Sequence, residues 1–139
     1  MATPALPLCG LHHVAIICSD YPRSRDFYQR ILGLPVISEH WRAQRQSWKL
    51  NLGLPDGTQL ELFSFPSPPP RPSWPEACGL RHLAFATQAL ETVRNALLCQ
   101  GVECEEVRRD EDTGQDFFFC ADPDGLPIEF YAVAKDDSV

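Results

Sequence analysis

The chain has no run of apolar residues long enough to cross a bilayer, since a spanning helix needs about 20. Its first residues, Met1-Ala2-Thr3-Pro4-Ala5, carry no basic stretch and no long apolar core. No secretion signal is legible there, and a cytoplasmic protein is expected. None of the six cysteines (Cys9, Cys18, Cys78, Cys99, Cys104, Cys120) forms a C-x-x-C pair, which disfavours a zinc knuckle or a dithiol redox motif. Without a secretory context the thiols are expected to be free and buried or half-buried. Basic residues are few: 12 Lys and Arg against 19 Asp and Glu leave a net charge of -7. That charge repels phosphates and argues against nucleic acid as a partner. There is no low-complexity tail, and 139 residues with 44% hydrophobic content suffice for one compact domain.

What the chain does have is an internal repeat. Leu11-His12-His13-Val14-Ala15-Ile16 is followed by Gln59-Leu60-Glu61-Leu62-Phe63; Leu80-Arg81-His82-Leu83-Ala84-Phe85 is followed by Pro127-Ile128-Glu129-Phe130-Tyr131. His13 and His82 are offset by 69 positions, Glu61 and Glu129 by 68, and Gly33 and Gly101 by 68. Each copy therefore carries one histidine and one glutamate at matching places.

The local patterns predict βαβββ twice. Residues 11–18 alternate as a strand. Asp20 before Tyr21-Pro22 starts a helix that carries Phe27, Ile31 and Leu32 and stops at Gly33. Strands are expected at about 36–42, 46–54 and 58–65, the last two joined at Asp56-Gly57. Six prolines in 66–79 (Pro66, Pro68, Pro69, Pro70, Pro72, Pro75) make that stretch a stiff connector rather than a strand or helix. The second copy repeats the plan: a strand at 81–87, a helix with Leu90, Val93, Leu97 and Leu98 ending at Gly101, and strands at about 103–109, 115–121 and 127–133. Asp122-Pro123-Asp124-Gly125 is a turn between the last two. This gives a single α+β domain over 9–133, made of repeats 11–65 and 81–133.

Period-two alternation places His13 with Ala15 and Ile17, Glu61 with Phe63, His82 with Ala84, and Glu129 with Tyr131, each opposite an apolar face. One side of each sheet builds the core and the other carries the polar pair. Ionised glutamates on otherwise apolar faces need a partner. Two imidazoles and two carboxylates suit one divalent first-row ion (Ni, Zn, Co, Mn or Fe). Taken singly, each of the four is more often a structural or solvated residue; the matched offsets make the set specific. His12 competes with His13, but parity and alignment with His82 favour His13. His40 has no counterpart and reads as surface, Asp110-Glu111-Asp112 as a solvated turn, and Phe117-Phe118-Phe119 as a strand packed on both faces. Trp41, Trp48 and Trp74 are read as core or interface packing.

These segments, with Phe27-Tyr28 before Ile31-Leu32-Gly33-Leu34 and the 122–125 turn, resemble the vicinal oxygen chelate superfamily, the glyoxalase I and bleomycin-resistance group, and a small bacterial glyoxalase-like subgroup in particular. The resemblance covers about residues 9–133. It implies two βαβββ units forming a cupped mixed sheet around one divalent metal, with His13, Glu61, His82 and Glu129 as ligands and a homodimer completing the site. It implies a lyase or isomerase of the lactoylglutathione lyase type acting on a small molecule. The metal would stabilise an enediolate while Glu129 moves the proton between adjacent carbons. Glutathione-dependent members carry an arginine and an asparagine where this chain has Ile17 and Phe65, so the thiol partner is open. Arg42, Arg71 or Arg81 could hold an anionic substrate. Alternatives on the same site are an epimerase, an Fe or Mn dioxygenase, or a bleomycin-resistance-type binding protein without metal catalysis.

Overall fold

A computed structural model describes residues 5–72 and 77–135; Trp74 lies outside them. The element order is β1 (His13–Cys18), α1 (Tyr21–Arg25) running into a π-helical segment (Asp26–Ile31), β2 (Val36–Arg42), β3 (Ser47–Gly53), β4 (Gln59–Ser64), β5 (Leu83–Thr87), α2 (Leu90–Cys99), β6 (Arg108–Arg109), β7 (Asp116–Ala121) and β8 (Pro127–Ala132). The strands form two four-stranded mixed sheets, ordered β1-β4-β3-β2 and β5-β8-β7-β6. Each repeat thus builds one sheet, with its first strand at an edge and parallel to its last.

Asp20 caps α1 by accepting from the Arg23 amide at 3.2 Å, with proline in the first turn. Gly33 and Gly101 follow the two helices at φ of +75° and +80°, the left-handed stop that their shared offset implies. The first helix does not stay α. Leu32 N–H reaches back to Phe27 C=O at 2.9 Å, a five-residue step, and Phe27 and Tyr28 within that segment are buried.

Alternation sorts the faces as expected. Ile16, Cys18, Leu60, Leu62, Leu50, Leu52, Phe118, Ile128 and Phe130 are buried, and all but Cys18 belong to one apolar cluster with Phe27, Tyr28, Leu90 and Leu97 that spans both sheets. The opposite face of β1 is open: His13, Ala15 and Ile17 are exposed.

Three expectations need correction. Residues 103–107 are not strand; only Arg108–Arg109 pairs with β7, because the Glu105 carboxylate takes the Phe119 amide at 3.0 Å where a regular ladder would run. Leu98 is 43% exposed, because the buried face of α2 runs through Leu90 and Leu97, with Val93 partly buried. Cys9, Cys78 and Cys99 are exposed, while Cys18 and Cys120 are buried and Cys104 is half-buried, all as free thiols. No helix among the described residues is long and apolar enough to cross a membrane.

Candidate metal centre

The repeat places its two polar residues by the same register in both halves. In the first sheet Ala15 pairs with Glu61 across the parallel β1–β4 ladder, and His13 stands two residues earlier on the same face. In the second Ala84 pairs with Glu129 across β5–β8, and His82 again stands two residues earlier. The outcome is the same separation: His13 Nε2 to Glu61 Oε1 is 3.6 Å, and His82 Nε2 to Glu129 Oε1 is 3.6 Å. That gap is longer than a hydrogen bond. Two donors each about 2.1 Å from one ion at a tetrahedral angle stand about 3.4 Å apart, so each pair has the spacing of neighbouring ligands.

Both carboxylates are largely covered, with side chains 10% exposed for Glu61 and 14% for Glu129. The imidazoles are more open, at 41% for His13 and 29% for His82. A covered carboxylate beside an accessible imidazole is a half-shell facing outward. Among the described residues no three His, Cys, Asp or Glu side chains lie together. Each chain therefore offers two donor pairs, not one four-donor centre. The donor chemistry fits a divalent ion: neutral nitrogen and anionic oxygen, two of each.

The residues around the pairs break the symmetry. On β3, Asn51 lies opposite Glu61; its amide donates to Glu61 Oε2 at 3.1 Å and to Gln59 Oε1 at 2.9 Å. On β7 the corresponding place opposite Glu129 holds Phe119, whose ring meets His82 edge-on at 5.0 Å between centroids. Glu61 is tied to its sheet. Glu129 has an aromatic wall and, among the described residues, no hydrogen-bond donor on its carboxylate. His12 sits beside His13, the two Nδ1 atoms 2.9 Å apart, while the Nε2 of His13 faces Glu61.

The other sequence candidates fall elsewhere. His40 is exposed. Trp48 stacks on Tyr21 at 5.4 Å and leans on Trp41, on the helix side of the sheet. Asp110 is more than a solvated turn residue: it accepts from the Tyr131 hydroxyl at 2.8 Å, which with the Asp112 amide holds its carboxyl below the usual range. Arg71 braces the connector by donating to Leu80 and Arg81 carbonyls. A cavity of about 740 Å³ between the first helix and residues 100–105, lined by Arg23, Asp26, Gln100 and Cys104, contains none of the four candidates.

Two four-stranded sheets, each of βαβββ origin with a histidine–glutamate pair on its open face, make a duplicated mixed α+β domain. The family model described as Glyoxalase/Bleomycin resistance protein/Dioxygenase superfamily matches residues 10–130, and the chain belongs to that superfamily. It is 50% identical to the uncharacterized protein YaeR of Escherichia coli K12 over 91% of this chain and 98% of that one. It is 27% identical to Glyoxylase I 4 of Arabidopsis thaliana over 89% of this chain and 71% of that one. The solved structure of a glyoxalase family protein from Enterococcus faecalis superposes with a TM-score of 0.83 at 43% identity, covering 91% of this chain and 99% of that one.

Proposed function

We propose that this protein is a divalent-metal-dependent lyase or isomerase of the glyoxalase I type, acting on a small oxygenated substrate as a homodimer. One observation carries the reading: the His–Glu pair occurs twice, by the same register and at the same 3.6 Å, on two open sheet faces. His13 and Glu61 of one subunit would meet His82 and Glu129 of a second copy, supplying two nitrogens and two oxygens to each ion. The edge positions of β1 and β5 favour this, since Ala15, Ala84 and Ala86 are small and exposed there and permit close approach of another chain.

His13, Glu61, His82 and Glu129 would hold the ion, which would supply Lewis acidity, making a C–H next to a substrate carbonyl more acidic. The protein's part is proton transfer. Glu129, without a fixed donor, accepts the proton from one substrate carbon and returns it to its neighbour. Glu61, fastened by Asn51, stays in place as an anionic donor. Phe119 excludes water on the Glu129 side.

The test is metal analysis of the purified protein, followed by assay of methylglyoxal conversion, with and without glutathione, after loading Ni, Zn, Mn or Co in turn. Wild type binds about one ion per subunit and turns over with at least one metal; Glu129→Gln keeps its fold and loses turnover by about 100-fold or more. Wild-type protein that refuses every metal would sink the reading and leave a metal-free binding protein of the same fold.

A further inference from the structure

On the open face of the first sheet, beyond Glu61, three cations share two aromatic rings. The Arg42 guanidinium carbon lies 4.8 Å from the Phe63 ring centroid and 5.9 Å from that of Phe65. Arg45 lies 5.7 Å from Phe65, and Lys49 Nζ lies 5.9 Å from Phe63. Among the described residues none of the three has a carboxylate within ion-pair distance. The chain carries a net charge of -7, so unpaired cations crowded together are not a consequence of composition. Arg42 is fixed by donating to the buried Ser47 hydroxyl at 3.0 Å, while its Nε is inaccessible to solvent and has no hydrogen-bond partner.

The second sheet shows what a purely structural arrangement looks like. There Arg108 stands over Phe117 at 4.9 Å and Phe119 at 5.9 Å, and its charge is closed by Glu105 at 2.8 Å. Stacking on aromatic faces holds a cation without neutralising it, and like charges held together repel. Arg42 and Lys49 are therefore held ready for an anion.

We propose that Arg42 and Lys49, with Arg45 at the rim, form the subsite for an anionic group of the substrate, a carboxylate or a phosphate. Phe63 follows Glu61 by two residues on the same strand and face, and Lys49 lies directly across from Phe63. The subsite thus begins about 7 Å along the strand from the Glu61 position, a distance that a two- or three-carbon oxygenated acid or phosphate ester spans. This rests on the metal-dependent reading above for the other end of the substrate: vicinal oxygens at the His–Glu centre, charge at Arg42 and Lys49.

The experiment is calorimetric titration of metal-free protein with phosphoglycolate, glycolate, inorganic phosphate and the neutral control ethane-1,2-diol. Wild type binds phosphoglycolate and at least one of the two single anions, glycolate and phosphate, which tells carboxylate from phosphate; the diol does not bind. Arg42→Gln and Lys49→Gln each weaken anion binding about tenfold or more. Arg109→Gln, removing a cation already paired with Asp116, leaves it unchanged. Should Arg42→Gln fail to fold, the half-buried Lys49→Gln alone decides. No anion binding by wild type, or equal affinity in Lys49→Gln, overturns the subsite. Because metal is absent throughout, failure here is separate from failure of the metal centre, which is read by metal loading of wild type against His13→Ala.

Discussion

Tyr28 and Asp122, 94 residues apart, are joined by a 2.8 Å hydrogen bond inside the shared core. Tyr28 is fully buried and Asp122 nearly so. The same carboxylate accepts from the Asp124 and Leu126 amides at 2.9 Å each. One aspartate therefore shapes the turn between β7 and β8 and docks the first repeat's helix onto the second repeat. Burial, then the neighbouring carboxylate, pushes the Tyr28 hydroxyl far above its ordinary range, so it remains a donor throughout. Tyr28→Phe removes that donor but leaves the two amides. It should cost about 1–2 kcal/mol, a drop in Tm of roughly 3–6 °C, with metal binding retained. An unchanged Tm would show that the halves are held together by apolar packing alone.

The hydrogen bond from Asn51 to Glu61 makes the two carboxylates inequivalent. Asn51→Leu keeps the branched shape and removes the donor. Weaker metal binding by about 10-fold is expected, within the range for lost outer-shell support. Phe119→Asn would give Glu129 the donor that Glu61 has; it should lower turnover more than metal affinity. Metal titration beside steady-state rates separates the two, and equal loss of both properties in both variants would deny the division of labour.

Much of this was legible beforehand because strands have period two. Once His13 and Glu61 are placed on strands, alternation alone puts them away from Ile16 and Leu62, and the equal offsets of the repeat put His82 and Glu129 in the same relation. Asn51 could also have been found: the Asp56-Gly57 hairpin is centred so that residues 51 and 61 face each other. The π-helical winding at Asp26–Ile31, in which Phe27 and Tyr28 are buried, was not legible, since Phe27, Ile31 and Leu32 have ordinary helical spacing. Nor was the loss of strand at 103–107, which depends on the Glu105 side chain finding the Phe119 amide. Asp122 reads as a turn residue in sequence; its bond to Tyr28 exists only in three dimensions.

Acid should weaken one half-buried cluster on the helix side of the first sheet. Glu39 receives Arg25 Nε at 2.8 Å and the Tyr21 hydroxyl. The Arg25 hydrogen bond, and secondarily that of Tyr21, hold the Glu39 carboxyl below its ordinary 4.5. A depressed folded-state value means the contribution is fully present above about pH 5 and is lost as pH falls through the folded-state value. The Tm difference between wild type and Glu39→Gln should therefore be largest near neutrality and shrink as the pH falls below the ordinary 4.5. A difference that stays constant over that span would assign the variant's effect to packing.

Thiol reactivity should divide the cysteines by position. Burial first, then the nearby Asp124 carboxylate, pushes Cys18 up to about 11; burial first, then the neighbouring Cys104 and Asp122, pushes Cys120 up to about 12. Neither forms much thiolate near neutrality. Cys9, Cys78 and Cys99 are exposed and should be alkylated in the native protein, with Cys18 and Cys120 modified only in denaturant. Peptide mapping after brief labelling reads this directly; native labelling of Cys120 would place β7 nearer the solvent than the fold allows.

Complementation between subunits gives the sharpest check on the shared metal centre. If each ion takes His13 and Glu61 from one chain and His82 and Glu129 from another, His13→Ala and His82→Ala should each abolish binding alone. In a heterodimer of the two, one metal site combines both lesions and the other combines two intact halves. Random reassortment of a two-fold dimer makes about half the molecules heterodimers, so about one site in four recovers. Metal content and turnover should rise together to that level after co-refolding. Failure to recover either, with heterodimers shown to form, would mean that the donor pairs act within single chains.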